Sequence, residues 1–218
     1  ALTRVESGMK LGLGTGSTMA HFLDLLGEEL SEGRLHDIVG VATSERTAEH
    51  AARVDIPVAD LADAGRLDLA VDGADEVDPA LDLIKGLGGA LLREKMIAQA
   101  ADRFVVIVDD RKEVPRLGSR SPLPVEVVPF AWAAHLDFFR ELGGRPHRRE
   151  ADGRAYTTDN GNYIVDVHFE DGVVAAAELE AALQRRAGVV DTGFFLGMAD
   201  EVLVAYEEGT AVRRREAR

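Results

Sequence analysis

The chain has no cysteine, so disulfides and thiolate metal sites are excluded from the start. Lysine is almost as scarce: Lys10, Lys85, Lys95 and Lys112 stand against twenty-one arginines. A compact ammonium whose pKa shifts on burial is not equivalent to a planar guanidinium, which makes Lys85 and Lys112 candidates for a chemical role. No apolar run approaches the roughly 18 residues of a membrane span, and no basic-then-apolar leader opens the sequence, so the cytoplasm is the expected compartment. Positive charge is in deficit as well: 25 basic against 39 acidic residues leave a net charge of −14, which argues against a general nucleic-acid or membrane partner. An anionic small ligand must then be held by local donors. None of the six histidines (His21, His36, His50, His135, His147, His168) has a zinc-type spacing. Asp68, Asp72, Asp75 and Asp78 lack the calcium-loop pattern, and a neighbouring lysine weakens a magnesium reading; no metal or cofactor is expected.

What is present centres on Asp72–Glu94. Leu67–Val71 is an apolar run short enough for a buried strand, which puts Asp72 and Asp75 just past a strand's C-terminal end. Ligands of open α/β sheets bind there. Lys85-Gly86-Leu87-Gly88-Gly89 is a glycine-rich turn feeding a helix from about Ala90 to Ala101, with Glu94 near the positive end of its dipole. Two acids, a lysine and a third acid are thus expected to converge on one crevice. The set suits proton abstraction beside a carbonyl: Glu94 as base, Lys85 as partner of the developing oxyanion, further polar groups for hydroxyl protons. Each half alone has a plain structural reading, as solvated turn acids or a dipole-complementing glutamate.

Earlier in the chain, Met9–Leu13 reads as a strand and Gly14-Thr15-Gly16-Ser17-Thr18 as a turn into a helix over Met19–Leu30. Glycines free the backbone N–H groups, hydroxyls add donors, and the helix start adds positive potential, together an anion nest suited to phosphate. The P-loop lysine is missing and the spacing is wrong for a dinucleotide fingerprint. Strands follow at Asp37–Thr43 and Phe104–Val108, with a helix capped by Ser44 between them. Alternating strands and helices predict a doubly wound, mostly parallel Rossmann-like sheet. Lys112 follows Phe104–Val108 at the ligand-side edge. Prolines from Pro115 to Pro129 mark a change of organisation, followed by a strand (Val125–Val128), a helix (Ala131–Leu142), two strands around Asp159-Asn160-Gly161, a helix (Ala175–Ala187) and a strand (Glu201–Tyr206). The expected fold class is α/β, with a catalytic domain over 1–120 plus 196–218 and a small inserted α+β, ferredoxin-like domain over 121–195. Arg213–Arg215 reads as a solvated terminus.

Five ordered motifs carry a resemblance over nearly the whole length: Gly14-Thr15-Gly16-Ser17-Thr18, Asp72-Gly73-Ala74-Asp75-Glu76, Lys85-Gly86-Leu87-Gly88-Gly89-Ala90 with Leu92-Arg93-Glu94-Lys95, Pro122–Val127, and Asp191-Thr192-Gly193-Phe194-Phe195. The chain resembles the ribose-5-phosphate isomerases of the A type. That resemblance implies metal-independent interconversion of ribose 5-phosphate and ribulose 5-phosphate in the pentose phosphate pathway, and a homodimer or homotetramer. It makes Glu94 the catalytic glutamate, Lys85 the active-site lysine, and Asp72 and Asp75 the two aspartates. It also places substrate contacts at Thr15, Gly16, Ser17 and Thr18, along Asp72, Gly73, Ala74 and Asp75, at Lys85, Gly86, Leu87 and Gly88, and at Lys112. Leu87 stands where the family usually carries glycine. Two other classes remain open: a non-catalytic sugar-phosphate sensor, or another phosphosugar enzyme on the same scaffold.

Overall fold

The computed structural model of the protein describes residues 1–215. In chain order its first half comprises β1 (Lys10–Leu13), α1 (Ser17–Ser31), β2 (Val39–Ala42), α2 (Glu45–Arg53), α3 (Leu61–Ala64), β3 (Leu69–Asp72), β4 (Glu76–Val77), β5 (Leu83–Ile84), α4 (Leu91–Ala100) and β6 (Phe104–Asp109). The second half comprises β7 (Leu123–Val127), α5 (Leu136–Glu141), β8 (Arg145–Arg148), β9 (Glu150–Ala151), β10 (Arg154–Ala155), β11 (Tyr163–His168), α6 (Ala176–Gln184), β12 (Val189–Thr192), β13 (Phe194–Phe195), β14 (Glu201–Tyr206) and β15 (Gly209–Arg214). These elements group into two compact units. One holds Ala1–Gly73, Arg93–Asp110 and the segment from Met198; the other holds Ala74–Leu92 and Arg111–Gly197.

The first unit is built on a six-stranded sheet ordered β15-β14-β6-β3-β1-β2. Every neighbouring pair is parallel except β14 with β15. Strands covered on both faces need apolar side chains in both directions, which is why Phe104–Val108 has no polar alternation. Leu11, Leu13, Leu69, Val71 and Val105 pack against Met19, Phe22, Leu23 and Leu26 of α1. On the other face α4 comes close: a Cβ on Gly12 would lie 2.5 Å from Ile97 Cγ2 and 2.9 Å from Ala70 Cβ. The sheet is therefore the doubly wound, mostly parallel one expected from the sequence.

Strand β15 was not expected; of its residues only Arg213 and Arg214 were read, as part of a solvated terminus. It pairs with β14 along its whole length, and its charged, mostly exposed residues blunt the sheet edge. Arg213 and Arg214 are exposed, as expected, yet the segment is tied down: Arg214 Nε donates to Glu201 Oε2 at 3.1 Å and Arg215 Nε to the Ala199 carbonyl at 3.1 Å.

The second unit contains a four-stranded antiparallel sheet ordered β12-β7-β11-β8. With α5 after β7 and α6 after β11, this is the split β-α-β, ferredoxin-like arrangement. Leu123, Val125, Val127, Val165 and Val167 meet Phe139 of α5 and Leu183 of α6 in its core. Two local expectations are corrected. The helix over Ala131–Leu142 is α-helical only from Leu136, because Ala131 is left-handed (φ 52°) and Trp132–His135 forms a 3-10 turn. The Asp159-Asn160-Gly161 turn has a full strand on one side only, β11; on the other side the pairing stops at a single antiparallel bridge between Thr157 and Tyr163, and Thr158 and Asn160 turn their side chains to Glu126. The partner strand is β8, further upstream.

Candidate active site

The phosphate-type nest belongs to the first unit. Gly14 N–H donates to the Val71 carbonyl at 2.9 Å, which ties the end of β1 to β3. A Cβ on Gly14 would sit 2.1 Å from Asp72 Oδ1, so glycine is what lets Asp72 lie against the loop. Asp72, only 3% exposed, accepts from Thr15 N–H at 3.1 Å and from Gly73 N–H at 2.7 Å. Gly16 caps α1 with φ 130°, a conformation favouring glycine, and no side chain caps that helix start. The first N–H groups of a helix have no intrahelical acceptor, and a start of this kind can take an anion on those of Ser17 and Thr18.

Three residues that sequence reasoning missed hold this loop in place. Thr15 Oγ1 lies 2.7 Å from Thr43 Oγ1, 2.8 Å from Ser44 Oγ and 3.0 Å from Thr47 Oγ1. Thr47 in turn donates to the Gly14 carbonyl at 3.0 Å. Ser44 was legible only as the cap of α2, a role it does fill by accepting Thr47 N–H. That its neighbours form a hydroxyl cluster under the loop depends on the parallel pairing of β1 with β2, which no local pattern announces.

Glu94 lies in the first turn of α4 and is 4% exposed. It precedes Ile97 by three residues and so shares the helix face that packs on Gly12. A helix following β3 in a parallel sheet starts at the strands' C-terminal ends, the edge at which the Gly14–Thr18 loop also lies. A cavity of about 380 Å³ opens nearby, lined by Val41, Ser44, Ala48, Arg93 and Met96 among others. None of Thr15–Thr18, Asp72 or Glu94 lines it.

The second unit carries the other candidates. Strands β4 and β5 form an antiparallel pair, and beyond their ends Asp75 N–H donates to the Ile84 carbonyl at 2.8 Å. This sets Asp75 beside Lys85. Lys85 is 3% exposed; its backbone N–H donates to the Gly193 carbonyl at 2.9 Å, and its Nζ lies 5.4 Å from the Phe195 ring centroid. A partly desolvated ammonium over an aromatic face is held by the ring quadrupole. Asp75 Oδ2 accepts from Leu87 N–H at 2.9 Å, so residue 87 contributes a backbone donor although its side chain is leucine. Gly86 (φ 104°) and Gly89 (φ 87°) supply the left-handed residues of the turn, and Gly89 N–H closes on the Gly86 carbonyl at 3.0 Å. Lys112 ends a 3-10 turn over Asp110–Lys112; the parallel bridge between Val77 and Glu113 brings it level with Glu76, one residue from Asp75.

The four aspartates weighed as a magnesium set are engaged separately. Asp68 accepts Lys10 N–H, Asp72 those of Thr15 and Gly73, Asp75 that of Leu87, and Asp78 those of Ala80 and Asp82.

Comparison with known proteins bears on the chain as a whole. The model of the family ribose 5-phosphate isomerase A (phosphoriboisomerase A) matches residues 39–209. A ribose-5-phosphate isomerase A of Roseiflexus castenholzii is 52% identical over 211 residues, covering 96% of this chain and 89% of the relative. A probable chloroplastic ribose-5-phosphate isomerase 3 of Arabidopsis thaliana is 50% identical, covering 97% of this chain and 79% of the relative. Among solved structures, a D-ribose-5-phosphate isomerase in complex with phospho-erythronic acid superposes with a TM-score of 0.95 at 42% identity, covering 98% of this chain and 94% of that one. With a family model matched over most of its length and relatives near half identical end to end, the chain belongs to the ribose 5-phosphate isomerase A family.

Proposed function

We infer that Glu94 is the base of an aldose-ketose isomerisation in which D-ribose 5-phosphate and D-ribulose 5-phosphate interconvert through an enediolate. Membership of the family makes the chain an isomerase of this sugar phosphate, in the non-oxidative branch of the pentose phosphate pathway. The residue roles are our own reading. Phosphate binds the N–H groups of Gly16, Ser17 and Thr18 and the hydroxyls of Ser17 and Thr18, on the loop that Thr15 anchors, with Lys112 as a further cation. Asp72 assists opening of the sugar ring. Glu94 removes the C2 proton of the open-chain aldose, the electron pair passes toward the C1 carbonyl oxygen, and the same carboxyl returns the proton to C1 while the C2 hydroxyl proton passes to the C1 oxygen, leaving the C2 carbonyl. Lys85 steadies the negative oxygen of the enediolate. Asp75 orients a substrate hydroxyl or the Lys85 ammonium, while Gly73, Ala74 and Gly88 present backbone groups to the sugar and Gly86 and Leu87 shape the turn beside it.

The observation that carries this reading is the burial of Glu94 at a helix start on the same sheet edge as the Gly14–Thr18 nest. A carboxylate placed there for solubility would face water. The test is product analysis with ribose 5-phosphate in chelator-treated heavy water. Ketose carrying solvent deuterium at carbon supports the isomerase; tight binding with neither ketose nor exchange would leave a sensor.

We also propose a homo-oligomer, dimer or tetramer, in the cytoplasm. Phe130 and Val174, 88% and 81% exposed, are large apolar side chains of the second unit that a partner copy would shelter. No described helix is long and apolar enough to cross a membrane. Sedimentation at micromolar concentration tests the first proposal, a monomer being the contrary result; cell fractionation tests the second.

A further inference from the structure

Arg149 follows β8 and has a part in none of the roles above. Its guanidinium makes four hydrogen bonds within the second unit. Nε and Nη2 pair with the two carboxylate oxygens of Asp166 at 2.9 and 2.5 Å, and Nη1 donates to the carbonyls of Gly86 and Leu87 at 2.9 and 3.0 Å. Both side chains are well covered, 13% and 15% exposed. Asp166 sits on β11, a strand paired on both sides, by β7 and by β8. One end of the guanidinium is thus fixed to an interior strand of the sheet. The other end grips a turn that has little stiffness of its own, because Gly86 and Gly89 both lie in the left-handed region and gain freedom from lacking a side chain. Two further contacts complete the clasp: the guanidinium carbon lies 5.8 Å from the Tyr156 ring centroid, and the Tyr156 hydroxyl occupies the space a Cβ on Gly89 would need.

We propose that Arg149 is a positioning residue for the isomerisation. By holding the carbonyls of residues 86 and 87 it fixes the turn that follows Lys85, and through Leu87 N–H it fixes the carboxylate of Asp75. Only a planar fork can bind a carboxylate side-on and still offer a third nitrogen to two carbonyls; an ammonium cannot span both. The proposal rests on the assignment of Lys85 and Asp75 to the site made above. Misplacement of such groups by about an ångström is enough to cost about a hundredfold in rate with the substrate still bound.

The experiment compares wild type, Arg149→Met, Arg149→Lys and Asp166→Asn by steady-state kinetics with ribose 5-phosphate and by amide hydrogen exchange. Arg149→Met should lower kcat by about a hundredfold while KM moves by less than about threefold, with Arg149→Lys recovering only part of the loss. Exchange in the peptide spanning residues 84–92 should quicken while that of 123–127 in β7 stays as in wild type. A kcat within about threefold of wild type in Arg149→Met overturns the proposal, as does exchange that quickens equally in both peptides, the mark of a merely structural arginine. Should Arg149→Met fail to fold, Asp166→Asn keeps the arginine and the shape of the pair, and the same two readings apply to it. A wild-type protein that makes no ketose would refute the isomerase reading instead, and the exchange data would still report on the clasp.

Discussion

Gly14 shows how one residue's lack of a side chain sets the site. An added methyl would lie 2.1 Å from Asp72 Oδ1 and 2.6 Å from Asp72 Cα, and backbone cannot yield as a flexible side chain can. Gly14→Ala should therefore raise KM for the sugar phosphate and lower stability by about 1–3 kcal/mol in denaturant titration, the range for overpacking. A variant with wild-type stability and KM would mean that Asp72 and the loop are not packed as described. Glu201 is a residue whose role the sequence concealed. It is 3% exposed, takes Arg4 Nε and Nη2 at 2.9 and 2.7 Å, and takes Arg214 Nε at 3.1 Å. Burial alone would raise its carboxyl, but the hydrogen bonds from Arg4 and Arg214 outweigh it and hold the group below the ordinary value. A lowered carboxyl contributes stability that is complete above the unfolded-state pKa of about 4.3 and is lost as pH falls through the folded value. Glu201→Gln should flatten that acid limb and remove about 1–2 kcal/mol at neutral pH, a figure discounted because the arginines stay partly in water. An unchanged acid limb in urea titrations below pH 4.5 would contradict this.

Among elements, those with a long period were the legible ones. Apolar Phe104–Val108 and the alternation of strands with amphipathic helices forecast the parallel sheet, and β6 ends one residue from where the pattern put it. Strands β4, β5 and β13 have two residues each, too few to carry a period of two, so the three-stranded sheet β13-β5-β4 that seats Asp75 and Lys85 could not be read. The Asp159-Asn160-Gly161 turn misled for another reason, a polar residue inside a fully buried strand. Glu126 of β7 is 0% exposed, and its Oε1 accepts from Thr158 Oγ1, Asn160 Nδ2 and Asn162 Nδ2 at 3.0, 3.3 and 2.8 Å. The loop closes over that carboxylate. Replacing Glu126 by Leu leaves buried Thr158 and the two asparagines without their acceptor and should cost roughly 1–3 kcal/mol, whereas Glu126→Gln keeps one carbonyl in place and should cost less than half as much. Equal losses in the two variants, measured by thermal or urea unfolding, would show that the donors are not what the glutamate serves.

For the whole molecule, family and site pattern were readable together because the five motifs keep their order and spacing along the chain. Asp72 and Glu94 stood out in the sequence as candidates from their place after a strand and at a helix start, and both side chains are buried at those places. Thr43, Thr47 and Arg149 were not, because each supports a loop remote in sequence: Thr15 lies 28 and 32 positions from the two threonines, and Gly86 lies 63 from Arg149. Supports of this kind are fixed by sheet register, and register is a property of the assembled fold. The net charge of −14 fits the same picture, since an anionic substrate must be captured by backbone donors and a few cations.

The central claim is that the carboxylate of Glu94 carries the proton between C2 and C1. Glu94→Gln keeps the shape and removes the base, so ribose 5-phosphate in heavy water is the direct measurement. The account predicts sugar-phosphate binding close to wild type, with turnover and deuterium uptake at carbon both reduced by about a hundred- to ten-thousandfold. Near-normal ketose formation with solvent deuterium in that variant would contradict it.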